Sequence, residues 1–482
     1  LDGTPEAIEL LKEGLALAPR DPRLLHDLGM AYSNRGQWHA AAQAYIQAIE
    51  LDPEYAQNYL YLGPIYEQVG DLASAERAYL RALQLNPELA TAAASLASIY
   101  EKTNRIESAH RLIISVLEMD PTNTVANLTQ AQLDYREGNY RDSIQRLEQL
   151  LTQDLSPWNR SIAASRMGTA RDKLGQHEQA FAAFRLGKQA LLEANLDTVQ
   201  TGIYAASTIA NIENNLDALL ADRESHGMNG DPAPVFLLGF PRSGTTLLDQ
   251  ILSSHPGVLV LEEKNTLRDS LQEFVTTAED LQRLVEIDEP SSDKFRKIYW
   301  SRVGEAAGEP PGSRLLIDKL PLYTAFMPVI HKIIPNARFI FAIRDPRDVV
   351  LSCFMQAFGL NEAMRHFLTL QDTADYYAAV MKIGIRSQQY LGDRIHVVKY
   401  ETLIDNLETE ARRLCGFLGL DWDEQMLRFH DIAKGRRINT PSYSQVVQPV
   451  YRSALGRWRH YEAQLQPVLT VLQPYIESFG YA

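Results

Sequence analysis

The sequence has few cysteines, no long apolar run and no excess of basic residues. Among its 482 residues are two cysteines, Cys353 and Cys415, so a disulfide framework is excluded and a reducing compartment such as the cytoplasm is predicted. Neither cysteine has metal-ligand spacing, and both are predicted to be small buried hydrophobic residues. No uncharged apolar run reaches about 18 residues, so no membrane-spanning helix is predicted.

The excess of acidic residues excludes a further class of function. The formal net charge is −14, from 47 Lys and Arg against 61 Asp and Glu, and this excludes the basic footprint of a nucleic-acid-binding protein. Any anion site must therefore be local, in one of the few arginine clusters. The chain starts at Leu1, not methionine, without a visible secretory signal, and a trimmed leader stays open.

The first half of the chain contains a 34-residue repeat. Proline recurs at Pro19, Pro53, Pro87 and Pro121. Small and aromatic positions keep the same register: Gly29, Gly63 and Ala97; Tyr32, Tyr66 and Tyr100; Ala41, Ala75 and Ala109. Small residues let two antiparallel helices approach closely, and proline ends the second helix, so each repeat is predicted to be a helix-turn-helix unit.

This pattern resembles the tetratricopeptide repeat family. A fourth, less regular unit follows near residues 124–156, and a fifth covers about residues 161–194. The resemblance implies an α-solenoid over residues 1–195 with a concave groove for a peptide or protein partner; a spacer or dimerisation platform is the alternative. Residues 196–233 are predicted to be a helical linker that ends in a Gly/Pro-rich turn.

The second half opens with a predicted anion-binding loop. Residues 235–239 form an apolar run typical of a buried strand, and the helical spacing of Leu247, Leu248, Ile251 and Leu252 follows. The frame from Gly239 to Thr246 is similar to a nucleotide-binding loop, but Thr245 stands where a nucleotide triphosphatase has lysine. Arg242 supplies the cation instead. This departure indicates a phosphate ligand with a different leaving group.

A second strand-to-helix junction carries a second cationic cluster. The apolar run that starts at Arg338 ends at Arg344, and Ser352 follows two helical turns later. Because ligands of open α/β sheets bind at the carboxyl ends of strands, Arg344 and Ser352 can converge on one phosphate. Two such junctions predict a ligand with two separated anionic groups.

The segments FPRSGTT and FIFAIRDPRDVVLS together resemble the sulfotransferase superfamily. The resemblance covers about residues 232–470 and implies 3′-phosphoadenosine 5′-phosphosulfate as the donor, adenosine 3′,5′-bisphosphate as the product, and no metal. It assigns to the 5′-phosphosulfate side Pro241, Arg242, Ser243, Gly244, Thr245 and Thr246. Arg344 and Ser352 are assigned to the 3′-phosphate.

Residues after the first helix are similar to the tyrosylprotein sulfotransferases. A short strand ends in Glu262 and Glu263, and Glu263 lies 21 residues beyond Arg242. The resemblance makes Glu263 the catalytic base, with Glu262 structural, and makes Lys319 the cation that stabilises the leaving group. The residues alone also allow a solvated acidic pair at the strand end and an ion pair between Lys319 and Asp318.

Toward the C-terminus, PSYSQVVQPVYRSALGRW resembles the family's loop over the nucleotide. The resemblance aligns Ser442 with a catalytic serine and places on the 3′-phosphate and adenine side Gln448, Arg452 and Arg457. Tyr400 matches a nucleotide-contacting tyrosine, or is a core residue at a strand end. The family usually has Lys-Pro-Val-Asn where this chain has Gln-Pro-Val-Tyr, and this departure leaves the acceptor open.

The predicted architecture is multidomain. A tetratricopeptide-repeat α-solenoid precedes a P-loop-like, three-layer α/β sulfotransferase domain with a parallel sheet, over residues 234–482. The predicted reaction is sulfuryl transfer to an acceptor hydroxyl, with Arg242 among the catalytic residues. Protein tyrosine is one acceptor; a glycan or other small-molecule hydroxyl is the alternative. A non-catalytic repeat scaffold with a nucleotide-binding domain and a P-loop kinase are two further hypotheses for the whole chain. The oligomeric state is open.

Overall fold

The computed structural model describes residues 3–194, 202–221, 233–308, 312–359, 361–433 and 454–481. The chain divides into two compact units, Leu1–Ala190 and Leu191–Ala482. The described part of the predicted linker, residues 202–221, belongs to the second unit, and the predicted domain bounds stay a prediction. In the described residues, no helix is both long and apolar enough to cross a bilayer.

The first unit is a series of helices joined by short turns. The helices are α1 (Pro5–Leu17), α2 (Pro22–Asn34), α3 (Trp38–Leu51), α4 (Ala56–Gln68), α5 (Leu72–Leu85), α6 (Ala90–Lys102), α7 (Ile106–Met119), α8 (Thr124–Arg136), α9 (Tyr140–Leu151), α10 (Pro157–Lys173) and α11 (His177–Ala194). The turn inside four repeats uses a left-handed glycine, such as Gly36 and Gly70, and Asn104 takes this position in the third. Asparagine is the other residue that tolerates this backbone conformation at a helix end.

The small positions of the repeat contact a partner sixteen residues later. A Cβ added at Gly29, Gly63 or Gly168 would lie within 3.0 Å of the ring of Tyr45, Tyr79 or Phe184, respectively. In the third and fourth repeats alanine replaces glycine, and the partners are the smaller Ile113 and Leu147. The pair therefore keeps a similar combined volume along the array, as close packing requires.

We expect the substitution Gly63→Ala to destabilise the first unit by about 1–3 kcal/mol, the usual cost of overpacking. A Cβ at Gly63 would lie 2.4 Å from the Tyr79 ring. This ring is fully buried and its hydroxyl donates a hydrogen bond to Glu67 Oε1 at 2.9 Å, so it has little room to move. The change in the free energy of unfolding can be measured with urea.

The third repeat supplies the control for this substitution. The double variant Gly63→Ala, Tyr79→Ile copies the Ala97–Ile113 pair and is expected to recover much of the lost stability. If Gly63→Ala proves neutral or stabilising, or if Tyr79→Ile makes it worse, the packing explanation is wrong.

The second unit is built on a five-stranded parallel sheet. Its strands are β1 (Val235–Gly239), β2 (Val258–Glu262), β3 (Leu315–Lys319), β4 (Arg338–Ile343) and β5 (Ile395–Lys399). They lie in the order β2-β3-β1-β4-β5, and every pair is parallel. β1 is buried along its whole length. This explains its continuous apolar sequence, because both faces of a parallel sheet are covered.

Helices cover both faces of this sheet. They are α12 (Ala206–Asn214), α13 (Leu216–Leu220), α14 (Thr245–Ser253), α15 (Arg268–Phe274), α16 (Ala278–Val285), α17 (Glu289–Ala307), α18 (Met327–Ile333), α19 (Pro346–Met355), α20 (Leu370–Leu391), α21 (Tyr400–Asp405), α22 (Leu407–Leu418), α23 (Phe429–Ala433), α24 (Glu462–Leu465) and α25 (Leu469–Ser478). One core joins Val235 and Leu237 to α14, α21 and α22. On the other face the Phe236 ring lies 5.7 Å from Tyr299 of α17. The predicted fold class, helical repeats followed by a three-layer α/β unit, is confirmed.

The strand order creates a switch point between β1 and β4. The chain leaves β1 toward β2 on one side of the sheet and leaves β4 toward β5 on the other. The loops that follow these two neighbouring strands therefore diverge and leave a crevice at their carboxyl ends. In open α/β sheets this crevice is where ligands bind.

Candidate functional site

The loop after β1 enters its helix at a position where only glycine fits without strain. Gly244 caps α14 with a φ of 98°, and a Cβ there would lie 2.5 Å from Tyr400 Cδ2. Ser243 donates from its hydroxyl to the Phe240 carbonyl at 2.6 Å. Thr245 and Thr246 form the first turn of α14. The first turn of a helix has backbone N–H groups without partners inside the helix, and these favour an anion.

The two predicted anion-binding junctions meet at this crevice. Arg242 donates from Nε to the Ser352 hydroxyl at 3.0 Å, and Arg344 donates from Nη1 to the Arg242 carbonyl at 3.2 Å. Arg344 lies over the Tyr400 ring, 4.7 Å from its centroid. The structure thus brings together Arg242, Arg344, Ser352 and Tyr400, which lie up to 158 residues apart in the sequence.

Lys319 lies at the centre of a second cluster, at the ends of β2 and β3. Its side chain is fully buried, and its Nζ lies 2.9 Å from Glu263 Oε1, 3.5 Å from Glu262 Oε1 and 3.6 Å from Asp249 Oδ2. Glu262 and Lys319 are register partners on adjacent strands. The Glu263 side chain is 45% exposed, so one carboxylate of the cluster can meet a molecule from solvent.

Burial controls the charge of this cluster. Removal from water raises the pKa of Asp249 to about 7, and the nearby ammonium of Lys319 opposes that shift. Burial lowers the pKa of Lys319, but Asp249, Glu263 and Glu262 together raise it above its ordinary value. Lys319 is therefore a fixed cation at neutral pH, whereas Asp249 can hold a proton and so reduce the negative charge beside it.

Two residues of these clusters have a strained backbone. Among the described residues, the non-glycine residues with a left-handed φ are Asn104, Arg242 at 72° and Glu263 at 51°. Such strain costs of the order of 1–3 kcal/mol and persists where the surrounding structure fixes it, commonly at functional sites. For Glu263, a hydrogen bond from its N–H to the Lys319 carbonyl at 2.7 Å holds that conformation.

Asp318 lies outside this cluster, so the sequence-based hypothesis of an ion pair between Asp318 and Lys319 is wrong. Side chains alternate along β3, and the two residues therefore project from opposite faces. Asp318 accepts a hydrogen bond from Thr266 Oγ1 at 2.5 Å. The side chain is fully buried, and burial raises the pKa of Asp318 to about 7.

We expect Asp318 to make the second unit less stable as pH rises from about 4 to 7. Across that range the folded state keeps a proton that the unfolded state loses, so the free energy of unfolding falls by up to about 1.4 kcal/mol per pH unit. Asp318→Asn should flatten this dependence and raise the Tm at pH 8 relative to the parent protein. Calorimetry between pH 5 and 8 measures both; Tm curves that run parallel would contradict the assignment.

Both units are similar to known protein families. Residues 234–424 match the sulfotransferase family model, and residues 26–90 and 62–123 match a tetratricopeptide repeat model. The second unit thus contains a domain that is similar to the sulfotransferase family, here called the sulfotransferase domain. The predicted family resemblances are therefore confirmed, for the repeats and for the domain that follows them.

Several curated proteins are similar to this chain over about half of its length. An uncharacterized protein of Aquifex aeolicus is 29% identical over 252 residues, 50% of this chain and 32% of that protein. Protein-tyrosine sulfotransferase 1 of Danio rerio is 26% identical over 264 residues, 52% of this chain and 73% of that protein. The chain thus spans about a third of the Aquifex protein. The solved sulfotransferase domain of the Synechococcus PCC 7002 olefin synthase is 24% identical, covers 49% of this chain and 91% of that domain, and has a TM-score of 0.34.

Some predicted site residues lie outside the described residues of the sulfotransferase domain. These are Ser442, Gln448 and Arg452. Arg457 begins a short 3-10 helix, Arg457–Tyr461, and Pro241 accepts a hydrogen bond from Cys353 Sγ at 3.2 Å. The roles assigned to all site residues stay predictions. Cys353 and Cys415 are both buried and do not form a disulfide, as the sequence predicted.

Sequence reasoning missed two buried carboxylates beside the predicted residues. Asp249 lies on α14 against Lys319, and Asp348 lies on α19 against Arg344. A signal was present for each: Asp249 interrupts the apolar face of α14, and Asp348 follows Arg344 by four residues, one helical turn. Charged residues on an apolar helix face are rarely fully buried unless they are paired.

Proposed function

We propose that the protein is a sulfotransferase that uses 3′-phosphoadenosine 5′-phosphosulfate and transfers its sulfuryl group to an acceptor hydroxyl. The observation that carries the proposal is the arrangement of four strand ends. Arg242 and Arg344 meet after β1 and β4, and the Lys319–Glu263 pair lies after β3 and β2. Cations for a doubly anionic donor and a carboxylate for an acceptor proton thus share one edge of the sheet.

The residues at the switch point fit this donor. The Nε of Arg344 is buried and has no hydrogen-bond partner in the described parts of the chain; an unsatisfied buried donor is costly and fits an anionic ligand. We assign Arg344 and Ser352 to the 3′-phosphate. The loop from Pro241 to Thr246, which includes Arg242, would hold the 5′-phosphosulfate, and Tyr400, Gln448, Arg452 and Arg457 would contact the nucleotide. The bound donor supplies an activated sulfuryl group.

The residues of the second cluster would perform the transfer. Glu263 accepts the proton of the acceptor hydroxyl, which its partial exposure allows. Negative charge develops on the leaving phosphate oxygen, and it is stabilised by Lys319, Arg242 and Ser442. For Glu263 to act, its ion pair with Lys319 must open. Glu262, and Asp249 when it is ionised, then remain as counter-charges to the buried ammonium. No metal is assigned a role.

For the acceptor we propose the hydroxyl of a tyrosine in a peptide or protein. Several relatives are protein-tyrosine sulfotransferases, including those of Danio rerio and Gallus gallus, and tetratricopeptide repeats commonly present a groove for a peptide. A glycan or small-molecule hydroxyl is the second candidate. The location proposed for this reaction is the cytoplasm, on the cysteine content alone.

Isothermal calorimetry with adenosine 3′,5′-bisphosphate and with ATP tests the donor assignment. We expect the bisphosphate to bind and ATP to bind more weakly by at least about tenfold, because ATP carries no 3′-phosphate for Arg344. Absence of bisphosphate binding would contradict the proposal and favour a repeat scaffold; preference for ATP would favour a kinase.

A panel of acceptors with ³⁵S-labelled donor tests the reaction itself. The panel contains tyrosine peptides, the same peptides with phenylalanine in place of tyrosine, oligosaccharides and small phenols. Label in the tyrosine peptides alone would support the proposed acceptor. Label in the oligosaccharides or phenols alone would keep the sulfotransferase assignment and contradict tyrosine.

A further inference from the structure

Asp348 is a buried carboxylate that the reaction described above does not use. It lies in the first turn of α19, and its side chain is almost completely buried. Its Oδ2 accepts a hydrogen bond from the Gly456 N–H at 2.8 Å, and its Oδ1 accepts one from the Trp458 N–H at 2.9 Å. Both carboxylate oxygens therefore bind the same short segment near the C-terminus.

The same carboxylate faces Arg344. Its Oδ2 lies 3.5 Å from Arg344 Nη2, and Arg344 also donates to the Ala454 carbonyl. Arg344 and Asp348 therefore hold the backbone of residues 454–458 from two sides. Gly456 has a left-handed φ of 66°, a conformation that lets alternate N–H groups converge on one anion.

These contacts leave the Nε of Arg344 available to a ligand. Its two terminal nitrogens bind the Arg242 and Ala454 carbonyls, while the buried Nε makes no hydrogen bond to the described residues. Burial raises the pKa of Asp348, while Arg344 and the two N–H groups oppose that shift. The contacts are those of a carboxylate that fixes the orientation of an arginine.

We propose that Asp348 is a positioning residue for recognition of the 3′-phosphate. It orients the guanidinium of Arg344 and anchors residues 454–458 beside it, so that the site distinguishes a nucleotide with a 3′-phosphate from one without. This inference rests on the proposed donor. It adds a residue that acts through Arg344 and does not itself contact the donor.

The test compares two ligands on matched variants. Isothermal calorimetry measures the Kd of adenosine 3′,5′-bisphosphate and of adenosine 5′-monophosphate. The Kd of the monophosphate divided by the Kd of the bisphosphate, the Kd ratio, reports 3′-phosphate recognition. Asp348→Asn keeps the side-chain shape, removes the charge, and sets an amide NH₂ against one of the two N–H donors. We expect the ratio to fall about tenfold or more, while the affinity for the monophosphate stays within about twofold, since the 5′ side does not depend on Asp348.

Asp345→Asn, at the N-cap of the same helix, is the control. Asp345 is also buried and ion-paired, but with Arg347 at 2.7 Å, and it makes no hydrogen bond to residues 454–458 in the described structure. The Kd ratio of the Asp345→Asn variant should match that of the parent protein. An equal loss for both ligands in Asp348→Asn, or an equal fall of the ratio in Asp345→Asn, would show a general structural role and overturn the proposal.

The parent protein separates failure of this inference from failure of the proposed function. If it binds neither ligand, or both equally, the donor assignment fails and Asp348 has no 3′-phosphate to position. If it prefers the bisphosphate and Asp348→Asn leaves the ratio unchanged, only the role of Asp348 is wrong. Should Asp348→Asn not fold, Asp348→Glu keeps the charge but displaces the guanidinium; a ratio equal to the parent's would then overturn the proposal.

Discussion

Glu263→Gln should lower kcat for sulfuryl transfer by about 10²- to 10⁴-fold, the usual contribution of a general base. Glutamine has nearly the same shape and can still accept a hydrogen bond from Lys319, but it cannot take up the acceptor proton. The side chain is 45% exposed, so the fold should be unaffected. Rates with labelled donor and the acceptor found in the panel measure the loss, and calorimetry should give an unchanged Kd for adenosine 3′,5′-bisphosphate.

Glu262→Gln is the matched control for this substitution. It removes the same charge from the neighbouring residue, which also faces Lys319, at 3.5 Å. We expect it to lower kcat by less than about tenfold, because its role is electrostatic and is shared with two other carboxylates. If Glu262→Gln and Glu263→Gln lower kcat equally, the loss comes from the change in net charge near Lys319. Glu263 would then not be the base.

Lys319→Met should have two large effects, one on catalysis and one on stability. Loss of a cation that faces developing charge is expected to lower kcat about 10²- to 10³-fold. Breaking a buried ion pair by removal of one partner commonly costs about 3–5 kcal/mol. Lys319 is fully buried and Asp249 nearly so, so the remaining carboxylate would lose its counter-charge. Thermal unfolding of the sulfotransferase domain and the labelled-donor assay measure the two effects separately.

The double variant Lys319→Met, Asp249→Asn separates the two effects. Removal of the uncompensated carboxylate should restore much of the lost Tm and none of the lost activity. The stability loss of Lys319→Met alone should also be larger at pH 8 than at pH 6. The reason is that burial raises the pKa of Asp249 to about 7, so that protonation relieves the cost at the lower pH. Recovery of activity in the double variant would rule out Lys319 as the cation at the leaving group.

These substitutions address how an acidic cluster can lie beside a site for an anionic donor. Three carboxylates surround one buried ammonium, which would repel the donor if all were charged. Protonation of Asp249 near neutral pH reduces that repulsion while Glu263 remains accessible to the acceptor. Asp249 is the group that gains or loses this proton, and because its side chain is almost fully buried, the charge that it gains is not exposed to solvent.

A large part of the fold could be predicted from local patterns. The repeat is visible because the pairs Gly29–Tyr45 and Gly63–Tyr79 recur every 34 residues, and each pair is a contact within one helix-turn-helix unit. The strands are visible because a parallel strand buried on both faces is apolar throughout. Arg242 and Arg344 stand out because each directly follows such a strand, where the carboxyl end of a sheet binds ligands.

The partners of buried charges could not be predicted in the same way. Lys319 is adjacent to Asp318 in the sequence, yet alternation along β3 sends the two side chains to opposite faces, and Lys319 contacts Asp249 from another element. Asp348 and the segment that it binds are over a hundred residues apart in the sequence. Ion pairs of this kind depend on which elements become neighbours, and local spacing carries no information about that.

The sequence by itself determined the two kinds of unit, the repeat period and the residues that stand at strand ends. Each of these follows from periodicity or from a residue's place within its own element. Only the tertiary structure decided that Arg242 meets Ser352, that three carboxylates share Lys319, and that Asp348 holds Arg344. The strand order β2-β3-β1-β4-β5 sets these contacts, because pairing between strands distant in sequence determines which loops lie side by side.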